Sequence, residues 1–169
     1  TRHGDDVANH LRIARYDMIC ITKQICDLFV DWIAMNNVEF HINTQTSVLW
    51  VWIDRRKMEF ALRVLLSNAL KNTYRFGKIS INISVVRSNG KAYCSFSIQD
   101  DGLGESESTR LGLKQIVDMT ESSGAIFEGI SSEDETGTQY TILIPLGRSH
   151  YMERAVEFIE PDGDLVKLN

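Results

Sequence analysis

The sequence predicts an α+β fold: a two-layer α/β sandwich in which a mixed, mostly antiparallel sheet carries three helices on one face. Three observations point there. Three stretches place apolar residues at three- and four-residue steps, as one face of a helix requires. Two pairs of β-rich runs are each joined by a short polar turn. Helices are interspersed with hairpins instead of alternating strictly with single strands, which argues against a doubly wound parallel sheet.

Taken in order, residues 11–15 read as a short edge strand. From Asp17, a plausible N-cap, one helix is predicted through Met18, Ile21, Ile25, Leu28, Phe29, Trp32 and Ile33. Asn36-Asn37 breaks it. Residues 38–42 and 48–53 then alternate in and out as strands, with His41 expected half-buried in a structural role. Asp54 caps a second helix whose face is Met58, Ala61, Leu62, Leu65, Leu66 and Ala69, ending near Thr73. Residues 78–87 and 91–100 pair antiparallel around Ser88-Asn89-Gly90, because Asn-Gly supplies the two positive-φ positions of a tight hairpin. After the polar loop 101–110, a third helix is predicted over 111–123 with Gly124 as its C-cap. Residues 125–131 and 138–145 form a last hairpin around an acidic tip, 132–137.

The chain has 169 residues, 43% apolar and 24% charged, which is the balance of an ordinary globular domain. Its formal charge of -5 comes from acidic residues spread along the whole chain, so a nucleic-acid partner is not expected. No long uncharged apolar run exists, so no direct membrane contact is expected either. Cys20, Cys26 and Cys94 are odd in number and lack metal-binding spacing; reduced thiols and a cytoplasmic location are expected. The start at Thr1 suggests excision from a longer polypeptide. Residues 1–10 read as the remnant of an upstream linker, 11–147 as the domain, and 148–169 as a tail or a linker to a following domain.

Four places could carry chemistry. Asn68 is a poor helix former inside the strongest helix, about 90° from the centre of its apolar face, with Val64 and Asn72 one turn either side and Lys71 beside it. This stripe suits an oxygen ligand for Mg²⁺ with a cation nearby for phosphate, or else is a solvated flank. Asp100-Asp101-Gly102-Leu103-Gly104 ends a strand. It is either a plain turn or a carboxylate placed to take a proton donor from an exocyclic amine, with glycines that let the backbone pass a flat ligand. Leu111-Gly112-Leu113 starts the last helix, where free N–H groups suit phosphate. Thr136-Gly137-Thr138 is a polar glycine turn into the final strand.

In this order, the four pieces resemble the ATP-binding domain of the GHKL superfamily, and among its members the sensor histidine kinases. Residues 52–58 with Leu65-Leu66-Ser67-Asn68-Ala69-Leu70-Lys71 are similar to the N box of those kinases, and Asp100 to Gly104 to their first glycine box. Leu111-Gly112-Leu113-Lys114-Gln115-Ile116-Val117 resembles the second and Thr136-Gly137-Thr138 the last, while Leu143-Ile144-Pro145-Leu146-Gly147 has the ending of hybrid two-component sensors. The resemblance implies a domain that binds ATP and Mg²⁺. Asn68 would hold the metal, Lys71 would approach the phosphates, and Asp100 would take the adenine amine. Gly102 and Gly104 would let the loop bend, Leu111 and Gly112 would receive phosphate at a helix N-terminus, and Thr138 would line the base pocket. It also implies partners: a dimerisation and phosphoacceptor domain of the same protein, to whose histidine the γ-phosphate passes, and a receiver domain beyond it.

The sequence departs from the family at several points, among them Asn72 where an aromatic residue is frequent and Arg110 where a glycine is usual. Val64 stands where the first N-box amide is usual, and a valine cannot orient a nucleophile or touch a metal. Seven residues, 105–111, separate Gly104 from Gly112, where the kinases carry a much longer lid. His3, His10, His41 and His150 lack the setting of an acceptor histidine, so no phosphorylation in cis is expected. The alternative implied by these departures is a degenerate domain acting as a regulatory or docking module.

Overall fold

Local capping sets the first half of the chain. The computed structural model describes residues 11–102, 107–133, 136–151 and 156–161. Strand β1 (Leu11–Asp17) passes into helix α1 (Met18–Asp27) at Asp17, whose Oδ1 accepts the N–H groups of Ile19 and Leu49, both at 3.0 Å. Helix α2 (Val30–Met35) follows, then strands β2 (Glu39–Thr44) and β3 (Trp50–Ile53). The single helix predicted through Ile33 is thus two. Phe29, at φ -111° and ψ 6°, leaves helical geometry. No glycine or proline marks the break, and the apolar spacing runs across it because Phe29 and Ile33 still pack on the core.

Helix α3 (Arg55–Asn72) is capped by Asp54, whose carboxylate accepts the Lys57 N–H at 3.3 Å, and ends at Thr73 as expected. Strands β4 (Lys78–Ser88) and β5 (Lys91–Asp100) form the predicted hairpin. Asn89 at φ 52° and Gly90 at φ 76° supply its two left-handed positions. Helix α4 (Glu107–Ser122) begins earlier than predicted, and β6 (Ile126–Glu133) and β7 (Thr136–Pro145) run closer to their turn.

Five strands form one sheet in the order β2-β4-β5-β7-β6, with β2 parallel to β4 and the other neighbours antiparallel. Its inner face (Ile79, Ile81, Phe96, Ile98, Ile142 and Ile144) packs with Met18, Ile21 and Ile25 of α1, with Met58, Leu62 and Leu65 of α3 and with Ile116 of α4. Burial on this scale is why truncating one such side chain, Leu65→Ala, should cost about 2–5 kcal/mol. The layered fold class therefore holds, with a second sheet beside the first instead of a single one.

That second sheet has the order β3-β1-β8, where β8 (Val156–Phe158) lies parallel to β1. The sequence predicts a patternless tail after Gly147 and an edge position for β1; instead a 3-10 turn (Arg148–Tyr151) and β8 fold back and make β1 central. The tether is Tyr151, buried against Leu11 and Ile13, whose hydroxyl donates to the carbonyls of Trp52 at 2.6 Å and Gly124 at 3.3 Å. Gly124 has φ +100°, and a Cβ there would stand 2.7 Å from that hydroxyl, so glycine is required twice over. A three-residue strand in a polar stretch leaves no period to read. His41 is also exposed, not half-buried: it lies on edge strand β2, with Nε2 3.0 Å from Glu39 Oε1. Among the described residues, no helix is long and apolar enough to cross a membrane.

Candidate nucleotide site

The C-terminal half of α3, the end of β5 and the start of β7 converge. Asp100 is the last residue of β5, placed opposite Ile79 on one side and Thr138 on the other. These partners fix its side chain on the sheet's inner face, where it is 2% exposed. Its Oδ1 accepts the Gly102 N–H at 3.0 Å, folding the chain back over the strand end. Its Oδ2 is buried with no hydrogen-bond partner, and so is the Thr138 hydroxyl oxygen. Two orphaned polar atoms on directly paired residues are unusual, since buried oxygens normally find donors. Burial pushes the Asp100 carboxyl up to about 6, the amide of Gly102 pulls it down and Asp101 adds to the rise; the Thr138 amide also favours the charge, from outside hydrogen-bond geometry.

The glycines here are forced by contact. A Cβ on Gly102 would collide with the Asn72 carbonyl, so the first glycine loop lies directly against the last turn of α3. Gly137 has φ +74°, donates its N–H to the Gly102 carbonyl at 3.0 Å, and would carry a Cβ 2.5 Å from the Asp100 carbonyl oxygen. Gly77, which the sequence does not single out, closes the same corner. Its Cβ would meet Thr73 Cγ2 at 2.5 Å and Asp101 Oδ1 at 2.8 Å. A glycine entering a strand looks like an ordinary turn residue, so only the packing marks it.

Asn68 is half-buried on the stripe that leads to Asn72. A Cβ on Gly112 would stand 3.2 Å from Asn68 Nδ2 and 3.9 Å from its Oδ1, so the carboxamide faces the backbone of α4 at this glycine. Asn68 thus meets Gly112, Asn72 meets Gly102, and Gly102 meets Asp100 and Gly137. The four sequence pieces lie together at one corner of the fold. Lys71 is exposed in the last turn of α3, three residues beyond Asn68. Gly104 lies outside the described residues, and of Leu111 only the helical backbone is described.

One expectation is corrected. The sequence places Leu111 and Gly112 at a helix N-terminus, but α4 starts at Glu107, which makes Gly112 its sixth residue. The first four N–H groups of a helix are the unbonded ones, so the free amides belong to residues 107–110, and those of Leu111 and Gly112 are committed within the helix.

A cavity of about 160 Å³ opens nearby, lined by Lys78, Ser80, Gln99, Asp100 and Asp101. Ser80 and Gln99 alternate with the inward Ile79 and Asp100, so it lies on the sheet's outer face, away from Asn68. The three cysteines are free, and burial pushes the Cys26 and Cys94 thiols up to about 12, which leaves them inert.

No family model matches the sequence. A protein named histidine kinase P4, from Formosa agariphila, is 22% identical over 172 residues, covering 87% of this chain and 12% of that protein. The chain therefore spans a small part of that relative's length. The nucleotide-free catalytic domain of the histidine kinase ThkA superposes with a TM-score of 0.69 at 20% identity, covering 80% of this chain and 98% of that one. ThkA in complex with the response regulator protein TrrA gives 0.70 at 21% identity, covering 85% and 44%. Full-length ShkA in complex with AMPPNP gives 0.66 at 15% identity, covering 94% and 43%. The chain has the fold of histidine kinase catalytic domains.

Proposed function

We propose that this chain is the ATP-binding catalytic domain of a sensor histidine kinase, which supplies the γ-phosphate of ATP to a histidine on a separate helical dimerisation domain. The observation that carries it is the pair of orphaned oxygens, Asp100 Oδ2 and Thr138 Oγ1, at the end of β5. An adenine's exocyclic amine supplies the donor that this buried acceptor lacks, and an ionised Asp100 accepts it as a charge-assisted bond. ShkA, of similar fold, was seen with a nucleotide analogue, which supports the reading.

Asn68 would hold Mg²⁺, which commonly takes a few protein oxygens together with phosphates and water. Lys71 would meet the phosphates as a mobile point charge. Magnesium would neutralise charge on the transferring phosphoryl group. No general base on α3 is offered by Val64, so positioning of the acceptor falls to the acceptor domain itself. The complex of ThkA with a response regulator supports a receiver domain as the downstream partner and fits a cytoplasmic setting.

Calorimetric titration with ATP and Mg²⁺ tests the proposal; absence of binding at about 1 mM nucleotide, the weak end of useful affinity, rejects it. The early start of α4, with Val64, favours a second reading: a domain of this fold that docks or regulates without transferring phosphate. Transfer to a supplied acceptor domain before and after Val64→Asn separates the two. Wild-type transfer at full rate removes the second reading.

A further inference from the structure

We propose that Tyr151 is a positioning residue for the nucleotide site: its hydroxyl clamps the C-terminal end of α4, and α4 in turn sets how the backbone at Gly112 meets Asn68. On the reading of Asn68 as the holder of Mg²⁺, on which this rests, metal-dependent binding of ATP answers to whether the turn at 148–151 is docked. Tyr151 is 1% exposed, and its hydroxyl reaches the carbonyls of Trp52 at 2.6 Å and Gly124 at 3.3 Å. Beside it, the Asp54 N–H donates to the Ser123 carbonyl at 3.2 Å. The end of α4 is therefore tied to β3 and to the start of α3, and Tyr151 joins both to the turn that leads toward β8.

The other end of the same helix lies at the site. Gly112 stands ten residues before Ser122, about 15 Å along the helix axis, and a Cβ there would be 3.2 Å from Asn68 Nδ2. Between the two ends, Ile116 is the α4 residue buried in the hydrophobic core. A helix seated on Ile116 has its short arm at Gly112 and its long arm at Ser123. A displacement at the clamped end therefore returns at about half its size beside the carboxamide. Shifts of about 1 Å are enough to misplace a group that must meet a ligand in one geometry.

Thr120 shows why the clamp is needed. It lies one turn beyond Ile116 on the same face of α4, it is 0% exposed, and its Oγ1 has no hydrogen-bond partner. A threonine hydroxyl within a helix ordinarily bonds a carbonyl three or four residues back. Left unpaired in the interior, it disfavours the present seat of the last turn of α4. That turn is held in place from outside the helix, by Tyr151 at Gly124 and by Asp54 at Ser123. An element kept in its seat by two ties, against an unsatisfied group of its own, moves when one tie is cut. Gly124 keeps the distance short, because a Cβ there would stand 2.7 Å from the Tyr151 hydroxyl.

Tyr151→Phe keeps the ring against Leu11 and Ile13 and removes only the hydroxyl, so calorimetric titration of ATP with and without Mg²⁺, well below the thermal midpoint, tests this. The affinity gained from Mg²⁺ should fall about three- to tenfold in the variant, while binding without Mg²⁺, which depends on Asp100, stays within about twofold. An undiminished gain, or an equal loss with and without the metal, overturns the proposal. Native-state hydrogen exchange reads the helix without any nucleotide. Tyr151→Phe should speed exchange at the amides of 112–116 about fivefold or more and leave those of α1 unchanged. Adding Thr120→Val, which removes the unpaired hydroxyl, should restore much of that protection. Unchanged exchange in α4, or a rise shared equally by α1, overturns the clamp. A wild-type chain that binds no ATP rejects the reading of the site, and the exchange measurement then decides the role of Tyr151 in seating α4 by itself.

Discussion

Replacing Asp100 with asparagine separates what the carboxylate does to the fold from what it does for a ligand. Its pKa is raised from 3.8 to about 6, chiefly by burial. A carboxyl whose folded pKa exceeds its unfolded one leaves stability intact below the unfolded pKa and removes it as pH rises through the folded pKa. The gap is about two units at 1.36 kcal/mol each, so ionising Asp100 costs the folded chain roughly 3 kcal/mol near neutral pH. Asparagine keeps an oxygen for the Gly102 N–H and carries no charge. Asp100→Asn is therefore expected to raise the free energy of urea unfolding by about 2–3 kcal/mol at about pH 7.5, and to lose most of that gain by about pH 4. The same change removes the charged acceptor, so ATP should bind about 10- to 100-fold more weakly. Urea unfolding at the two pH values and calorimetric titration read the two effects. A variant less stable than the parent at the higher pH, or a gain that survives acidification, refutes the desolvation account. Unchanged ATP affinity refutes the contact with the base.

Gly102→Ala drives a methyl into the Asn72 carbonyl, main chain against main chain, and should cost about 3 kcal/mol or more by urea midpoint. Gly112→Ala gains up to ~1 kcal/mol of helix propensity but presses on Asn68, so unfolding should be unharmed while Mg²⁺-dependent ATP binding weakens; equal binding would detach Asn68 from the metal. Tyr151→Phe leaves the Trp52 carbonyl without its donor and should cost about 1–3 kcal/mol. Ending the chain at Gly147 should cost more than that substitution, because Leu11 and Ile13 lose the ring that covers them.

What was legible in the sequence is what local chemistry dictates. Asp17 and Asp54 read as caps because a short carboxylate before an apolar period has few other uses, and both accept N–H groups at their helix starts. Asn89-Gly90 read as a hairpin because few other pairs tolerate two positive φ values. That Asn68, Asp100 and Gly102 would come together was legible in part, since an amide within a helix and an acid followed by a glycine at a strand end each stand out from their neighbours. What escaped depends on distance in sequence. β8 is specified by Tyr151 reaching Trp52 and Gly124, contacts that no window of neighbouring residues contains. The start of α4 escaped because Glu-Ser-Thr is as compatible with a loop as with a first helical turn. Gly77 escaped because its requirement comes from Thr73 and Asp101 closing around it.

The parallel pairing of β8 with β1 has a mechanical corollary. Leu11 opens β1 and Phe158 closes β8, and the two strands run side by side in the same direction. Tension drawn between those residues pulls the strands lengthwise past each other, so the bonds joining them, with the one from the Ile159 N–H to the Ile13 carbonyl, are loaded together instead of one after another. A joint loaded in shear resists far more force than one peeled from its end. Because β1 also pairs with β3, which runs into α3 at Asp54, a pull on this seam bears next on the residues that cap α1 and α3.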